Sequence, residues 1–217
     1  MFSNIFITDT ESIYESSNRQ LAEEFGKKYT PETRAKVLGV SEQQTAEIIV
    51  KELKLPMSKG EYLRRIGIIQ NAMFEKAKLM PGAERLVRHL SQNKIPIALA
   101  TSSGKASVEA KMKGHKDLFS LFHHAVIGSS DPEVKAGKPA PDVFLICASR
   151  YPDKPDPSKC LVFEDAPNGV LAAKRAKMQV VMIPEKKPTE EQRSHATLVL
   201  DSLLDFKPEL FGLPPFK

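Results

Sequence analysis

Three short stretches hold side chains whose types and spacing could act together on a phosphoryl group. In LVFEDAPNGV (residues 161–170), Glu164 and Asp165 follow directly on an apolar run. Adjacent carboxylates repel unless a cation sits near them. Magnesium suits such a pair, because it takes one or two carboxylates, keeps several waters and bridges to phosphate oxygens. An acidic helix start would also accommodate an Asp at this point. A second stretch, Thr101-Ser102-Ser103-Gly104, ends the apolar run IPIALAT. Hydroxyls and exposed N–H groups at a strand-to-helix turn suit an anion, and equally serve as a plain helix cap. In the third, Lys138 stands between Gly137 and Pro139, with Pro141-Asp142 just beyond. Its ammonium could be a point charge on phosphate, although a lone lysine is ordinarily just solvated. Taken together the three suit one phosphate and one Mg²⁺, the positioning and cations that phosphoryl transfer requires, and a carboxylate can serve such a reaction as nucleophile.

The elements that must carry these residues follow from apolar periodicity. Ile5-Phe6-Ile7 is a short β-prone run. From about Ser12 to Leu79 apolar residues recur every three or four positions, with breaks at Gly39, Leu55-Pro56 and Ser58, which predicts three or four helices. Pro81-Gly82 forms a hinge-like break before an amphipathic helix at Ala83–Leu90. Strands and helices then alternate: strands at IPIALAT, HHAVIG, KCLVFED and QVVMIP, helices at Ser107–Gly114, PDVFLICASRY and GVLAAKRAK, and a last short strand at Ala196–Leu200. Such alternation predicts an α/β fold with a parallel sheet covered on both faces. Ligands of such sheets gather outside the carboxyl ends of the strands, where all three stretches fall. The segment Tyr151–Lys159, rich in Pro, Asp and Lys, reads as a surface loop.

With these motifs in this order, the chain resembles the haloacid dehalogenase (HAD) superfamily of phosphatases, in the subgroup with a helical cap inserted after the first strand. The likeness rests on the strand ending at Thr101, on GKPAPD with Lys138, and on VFEDAPNGV with Glu164 and Asp165. The stretches LPMSK, LMPGAE, ALATSSG, CLVFEDAPNGV, MQVVM and PELFGLP are similar to members that act on a nucleotide-like phosphomonoester, pseudouridine 5′-phosphate. The resemblance implies a Rossmann-like HAD core at 1–11 and 80–217, a cap at 12–79, and Mg²⁺-dependent hydrolysis of a small phosphomonoester. It implies that Thr101 and Ser102 bind phosphoryl oxygens, that Lys138 neutralises nucleophile and phosphate, and that Asp165 with Glu164 holds Mg²⁺.

The resemblance also implies a first strand ending in Asp-x-Asp-Gly, and here the chain departs. A gap-free count back from Asp9-Thr10-Glu11 sets Phe2 at the nucleophile, Asn4 at the acid/base and Ile5 at the glycine. A shifted register makes Asp9 the nucleophile and Glu11 the acid/base, with Ser12 in place of the glycine. The chain is therefore expected to be impaired, its nucleophile strand degraded or truncated, and the rival expectation is an inactive pseudophosphatase that binds a phosphorylated ligand or a protein. Lys177 also stands where the family has glycine after its helix.

Composition narrows the remaining classes. The net charge is +5, but the 32 Lys and Arg residues are dispersed, so no nucleic-acid partner is expected. Hydrophobic residues at 41% and charged residues at 27% are ordinary for a folded chain. Cys147 and Cys160 lie in or beside apolar runs without zinc-site spacing, and read as buried free thiols of a reducing compartment. His89, His115, His123, His124 and His195 match no metal or triad spacing. No signal peptide or membrane span is read, and a cytoplasmic monomer is expected.

Overall fold

The computed structural model describes residues 2–3, 11–37, 42–184 and 187–217, with residues 2, 3 and 11 described by their backbone alone. Chain contacts divide it into two units. One comprises Met1–Thr8, Leu79–Val108 and His115–Lys217; the other comprises Asp9–Lys78 and Glu109–Gly114.

Among the described residues the first unit is built on six parallel strands: β1 (Phe2–Ser3), β2 (Ile97–Thr101), β3 (His124–Ile127), β4 (Leu161–Glu164), β5 (Gln179–Met182) and β6 (Leu198–Val199). Their order across the sheet is β3-β2-β1-β4-β5-β6. Every side chain of β4 is buried, as expected for a strand with both faces covered. The core joins Ala98, Ala100 and Val162 of the sheet to Phe144 and Cys147 of one helix and Val170 and Ala173 of another.

The helices of this unit are α5 (Ala83–Gln92), the start of α6 (Lys105–Gly114), α7 (Lys116–Phe119), α8 (Asp142–Ser149), α9 (Pro167–Arg175) and α10 (Glu190–Arg193). The predicted break at Pro81-Gly82 has a physical cause. Gly82 has φ +87°, and a Cβ there would lie 2.8 Å from the backbone of Leu203 and Leu204, so no other residue fits. The C-terminal segment that presses on Gly82 also grips α5. Arg85 donates to the Leu204 carbonyl at 2.8 Å, His89 Nε2 lies 2.8 Å from the Pro214 carbonyl, and the Arg85 guanidinium stacks 4.1 Å over the Phe216 ring.

The helical unit contains α1 (Glu11–Glu23), α2 (Pro31–Val37), α3 (Glu42–Glu52) and α4 (Lys59–Phe74), which pack Leu21, Ala46, Ile49, Tyr62 and Ile66 into a core of their own. Among the described residues one buried side-chain acceptor there, Asn71 Oδ1, has no partner, and other buried polar groups are paired. Tyr62 donates to Asn18, Asn18 Nδ2 donates to the Tyr14 carbonyl at 2.8 Å, and Gln70 donates to Ser17 at 3.2 Å. The end of α6 belongs to this unit through Lys113–Glu75 and the stacking of Lys111 on Phe74, which periodicity alone did not foresee. Among the described residues no helix is long and apolar enough to cross a membrane.

Two sequence readings are amended, and a third falls on residues that are not described. Ile5–Ile7 lies outside the described residues, and the strand pairing that is described falls on Phe2–Ser3. The helix expected from Ser107 starts two residues earlier, at Lys105. The segment expected as a surface loop begins with a buried anchor, Tyr151, packed at 5.2 Å and 4.7 Å against the rings of His123 and His124.

Two stability measurements check this account. Lys177 has φ +60°, and Lys177 N and Met178 N return to the carbonyls of Lys174 and Ala173 to close α9, the left-handed ending that favours glycine. Lys177→Gly should raise stability by about 1 kcal/mol, seen as a higher urea midpoint at unchanged slope. His124 Nε2 bonds the Cys147 carbonyl at 2.9 Å and its Nδ1 lies 2.8 Å from His123 Nδ1. Burial, then the neighbouring His123 and Arg150, hold His124 below the usual value of 6.5. Unfolding therefore takes up a proton at low pH. That stability is fully present above pH 6.5 and is lost as pH falls through the folded value; His124→Gln should flatten this part of the pH–stability curve.

Candidate active site

The strand register of the first unit sets the level of the site. Phe2 pairs with Ile97 on one side and Leu161 on the other, each four residues before Thr101 and Asp165 respectively. Thr101 and Asp165 are therefore level with one another across the two strands that flank β1, at a backbone separation of about 10 Å for two strand spacings. A phosphoryl group with a bound cation is of that size. Phe2 itself stands about 13 Å below that level at the usual rise per residue. At the level of Thr101 and Asp165 the central strand lies outside the described residues.

Thr101 closes β2. Its carbonyl accepts Gly128 N at 2.7 Å and its Oγ1 accepts Ser103 N at 3.1 Å, so the hydroxyl shapes the turn Ser102–Gly104 into α6. Ser129 Oγ donates to the Ser103 carbonyl at 3.1 Å and ties this turn to the chain leaving β3.

Lys138 arrives on the loop between β3 and α8. Ala140 N donates to the Gly137 carbonyl at 3.0 Å, and the Lys138–Pro139 peptide is cis. The ammonium reaches the Ala100 carbonyl on β2 at 3.4 Å, donates to Glu164 Oε1 on β4, and lies 4.7 Å over the Phe144 ring. Thus Lys138 is tethered to the residue before Thr101 and to the residue before Asp165. Lys138 links the ends of β2 and β4, and is itself largely buried.

The two adjacent carboxylates have different surroundings. Glu164 is 3% exposed. Its charge is met by Lys138, and its carboxyl group occupies the space where a Cβ on Gly169 would stand. Asp165 is half-buried at the strand tip, followed by Ala166 and then Pro167 at the first turn of α9. Pro is well placed there, since it has no N–H to leave unpaired. Ser102 is exposed beside Thr101. Asp9 lies outside the described residues, and Glu11 opens α1 with its side chain outside the description.

Magnesium can be tested against this donor set. Among the described residues no three His, Cys, Asp or Glu side chains gather around one point, which is unlike a zinc cage. One strand-tip carboxylate completed by waters and phosphate oxygens is an ordinary magnesium environment. The cysteines take no part: both are free and buried, and burial pushes the Cys147 thiol up to about 12.

Residues 7–177 match the haloacid dehalogenase-like hydrolase family. The chain belongs to that family. It is 52% identical over 210 residues to a Drosophila melanogaster protein named "Probable pseudouridine-5′-phosphatase", covering 97% of this chain and 91% of that one. It is 44% identical to (DL)-glycerol-3-phosphatase 2 of Arabidopsis thaliana, covering 97% and 89%. A HAD family hydrolase from Deinococcus radiodurans, solved with bound phosphate and sodium, superposes with a TM-score of 0.78 at 19% identity over 99% of this chain and 96% of its own; that likeness concerns the fold.

Sequence reasoning missed the groups that hold the site in place. Gly169 reads in sequence as part of an Asn-Gly turn, yet the structure uses its bare Cα to admit Glu164. Arg175 donates to the Pro139 carbonyl at 3.0 Å across 36 residues, a pairing that no local pattern signals. Gly169→Ala should drive the Glu164 carboxylate off Lys138 and cost roughly 3 kcal/mol or more, the scale of breaking a buried ion pair. Urea unfolding measures it. Combined with Glu164→Ala the penalty should fall short of the sum of the two single changes.

Proposed function

We propose that this HAD-family hydrolase is a Mg²⁺-dependent phosphatase for a small phosphomonoester, of the nucleotide-like class represented by pseudouridine 5′-phosphate. One observation carries the proposal: the Lys138 ammonium is fixed between the ends of β2 and β4, beside Thr101 and Asp165. The names of its relatives, a pseudouridine-5′-phosphatase and a glycerol-3-phosphatase, point to the same chemistry.

In this reading Thr101 and the backbone at Ser102 receive phosphoryl oxygens, and Lys138 offsets the negative charge brought by phosphate and nucleophile. Asp165 holds Mg²⁺, with Glu164 immediately behind it; bound Mg²⁺ supplies charge neutralisation on the phosphoryl oxygens. Asp9 is the nucleophile. Its carboxylate oxygen bonds to phosphorus while the ester P–O bond breaks, and Glu11 gives its proton to the leaving alkoxide. Water then attacks the aspartyl phosphate, Glu11 takes the proton back, and inorganic phosphate leaves. Glu is one methylene longer than the family's Asp at this step, and Ser12 replaces glycine, so turnover is slow relative to the family. The two buried free thiols suit a reducing, cytoplasmic setting.

A second reading is a pseudophosphatase that binds a phosphorylated ligand without turning it over. It is favoured by the gap-free count from Asp9-Thr10-Glu11, which sets Phe2 and Asn4 where the family has its two Asp residues.

Release of phosphate from p-nitrophenyl phosphate and pseudouridine 5′-phosphate, with and without Mg²⁺, tests both. Asp9→Asn and Asp165→Asn should each lower kcat by about 100-fold or more, chelation should abolish turnover, and Phe2→Ala should leave it unchanged. If no turnover is seen while phosphate still raises the melting temperature, the binding reading replaces the catalytic one.

A further inference from the structure

Lys138 sits on a loop, and loops do not hold an ammonium in place unless something holds the loop. From the described contacts of that segment we infer that Asp142 is a positioning residue for Lys138. The inference rests on the proposed role of Lys138 for its functional meaning, but on geometry alone for its content.

Asp142 is the first residue of α8 and is half-buried. Its Oδ2 accepts both Lys135 N and Ala136 N at 3.0 Å. A single charged oxygen thus collects two successive backbone donors from the chain two and three residues before Lys138. Hydrogen bonds to a charged acceptor are stronger than neutral ones. They fold the incoming chain back onto the start of α8, the same helix that carries Phe144 under the lysine ammonium. Downstream, the Ala140 N to Gly137 carbonyl bond closes the turn around Lys138, and Arg175 holds the Pro139 carbonyl at 3.0 Å. At the far end of α8, Arg150 binds Asp131 at 2.7 Å, and Asp131 Oδ1 accepts Glu133 N at 3.1 Å. The loop is stapled to both ends of α8, and Asp142 is the staple nearest the lysine. Without it, residues 135–136 lose their acceptor, and the ammonium loses its fixed place between β2 and β4.

Phe144 provides a readout independent of catalysis. Protons next to an ammonium 4.7 Å over a ring are shielded by its ring current, so the ε-methylene signal of Lys138 in a lysine-ε-¹³C-labelled chain should lie upfield of the exposed lysines. Lys138→Arg identifies it by its loss. In Asp142→Ala the signal should move to the exposed-lysine position while core methyl signals stay in place. Asp142→Asn, which keeps an oxygen acceptor but no charge, should move it part of the way, so the test survives if the alanine variant does not fold. A signal unmoved in the folded variants overturns the inference. Inorganic phosphate titrated into the same samples separates the two claims. We expect phosphate to shift the Lys138 signal in the unaltered protein and to bind about tenfold more weakly in Asp142→Ala. If phosphate leaves the signal of the unaltered protein untouched, the phosphatase reading fails, while the positioning role stands or falls on the Asp142 shift alone.

Discussion

The pairing of Lys138 with Glu164 is the contact on which the rest of the site depends. Both side chains are largely buried, the lysine 13% and the glutamate 4% exposed. Taking two charges out of water is costly, and their attraction repays the cost only when the geometry is good and the remaining polar atoms have partners. The structure meets those terms. The ammonium also reaches the Ala100 carbonyl and a ring face, and Gly169 leaves room for the carboxylate. A pair of this kind is weak as a source of stability and strong as a constraint on position, since neither partner can leave without stranding the other. It explains why the chain ends a fully buried strand with a charged residue: Glu164 is the counter-charge that lets a lysine stand at the carboxyl edge of the sheet.

That constraint reaches outward through short links. Glu164 must be small-packed on one side, which requires Gly169 in the first half of α9. Lys138 must be delivered from the loop, which requires the loop's own carboxylates to be occupied: Asp142 by two backbone donors, and Asp131 by Arg150, whose guanidinium holds the Asp131 carboxyl below the usual carboxylate range. In each case a charge is used for positioning and a backbone group or opposite charge satisfies it. Asp165, one residue beyond the pair, is thereby set at the level of Thr101 without having to neutralise its neighbour.

Much of this was legible in the sequence for a definite reason. Apolar runs that alternate with helices specify a parallel sheet, and a parallel sheet sends its chemistry to one edge; Thr101, Lys138 and Asp165 could be read there because each directly follows a strand or an adjacent turn. The helical stretch from Ser12 could be read from its 3.6-residue periodicity. What could not be read were contacts between residues distant in sequence. Lys138 and Glu164 are 26 residues apart, and nothing local distinguishes a glutamate facing a lysine from one facing a metal. Tyr151 opens a polar, proline-rich segment and is nonetheless buried, because the rings of His123 and His124 lie over it. The last turn of α6 joins the helical unit through Lys111 and Lys113, residues that a hydrophobic pattern ignores.

The register of the central strand bears most directly on catalysis. Parallel strands pair residue by residue, so once Phe2 is set against Ile97 and Leu161 the level of every neighbour is fixed. The level that holds Thr101 and Asp165 is four residues further along both flanking strands. The central strand at that level lies outside the described residues, and the first carboxylates in the sequence after Ser3 are Asp9 and Glu11. Whatever residue faces phosphorus, the cationic half of the site, Lys138 with Glu164, is fixed by the ends of β2 and β4 alone.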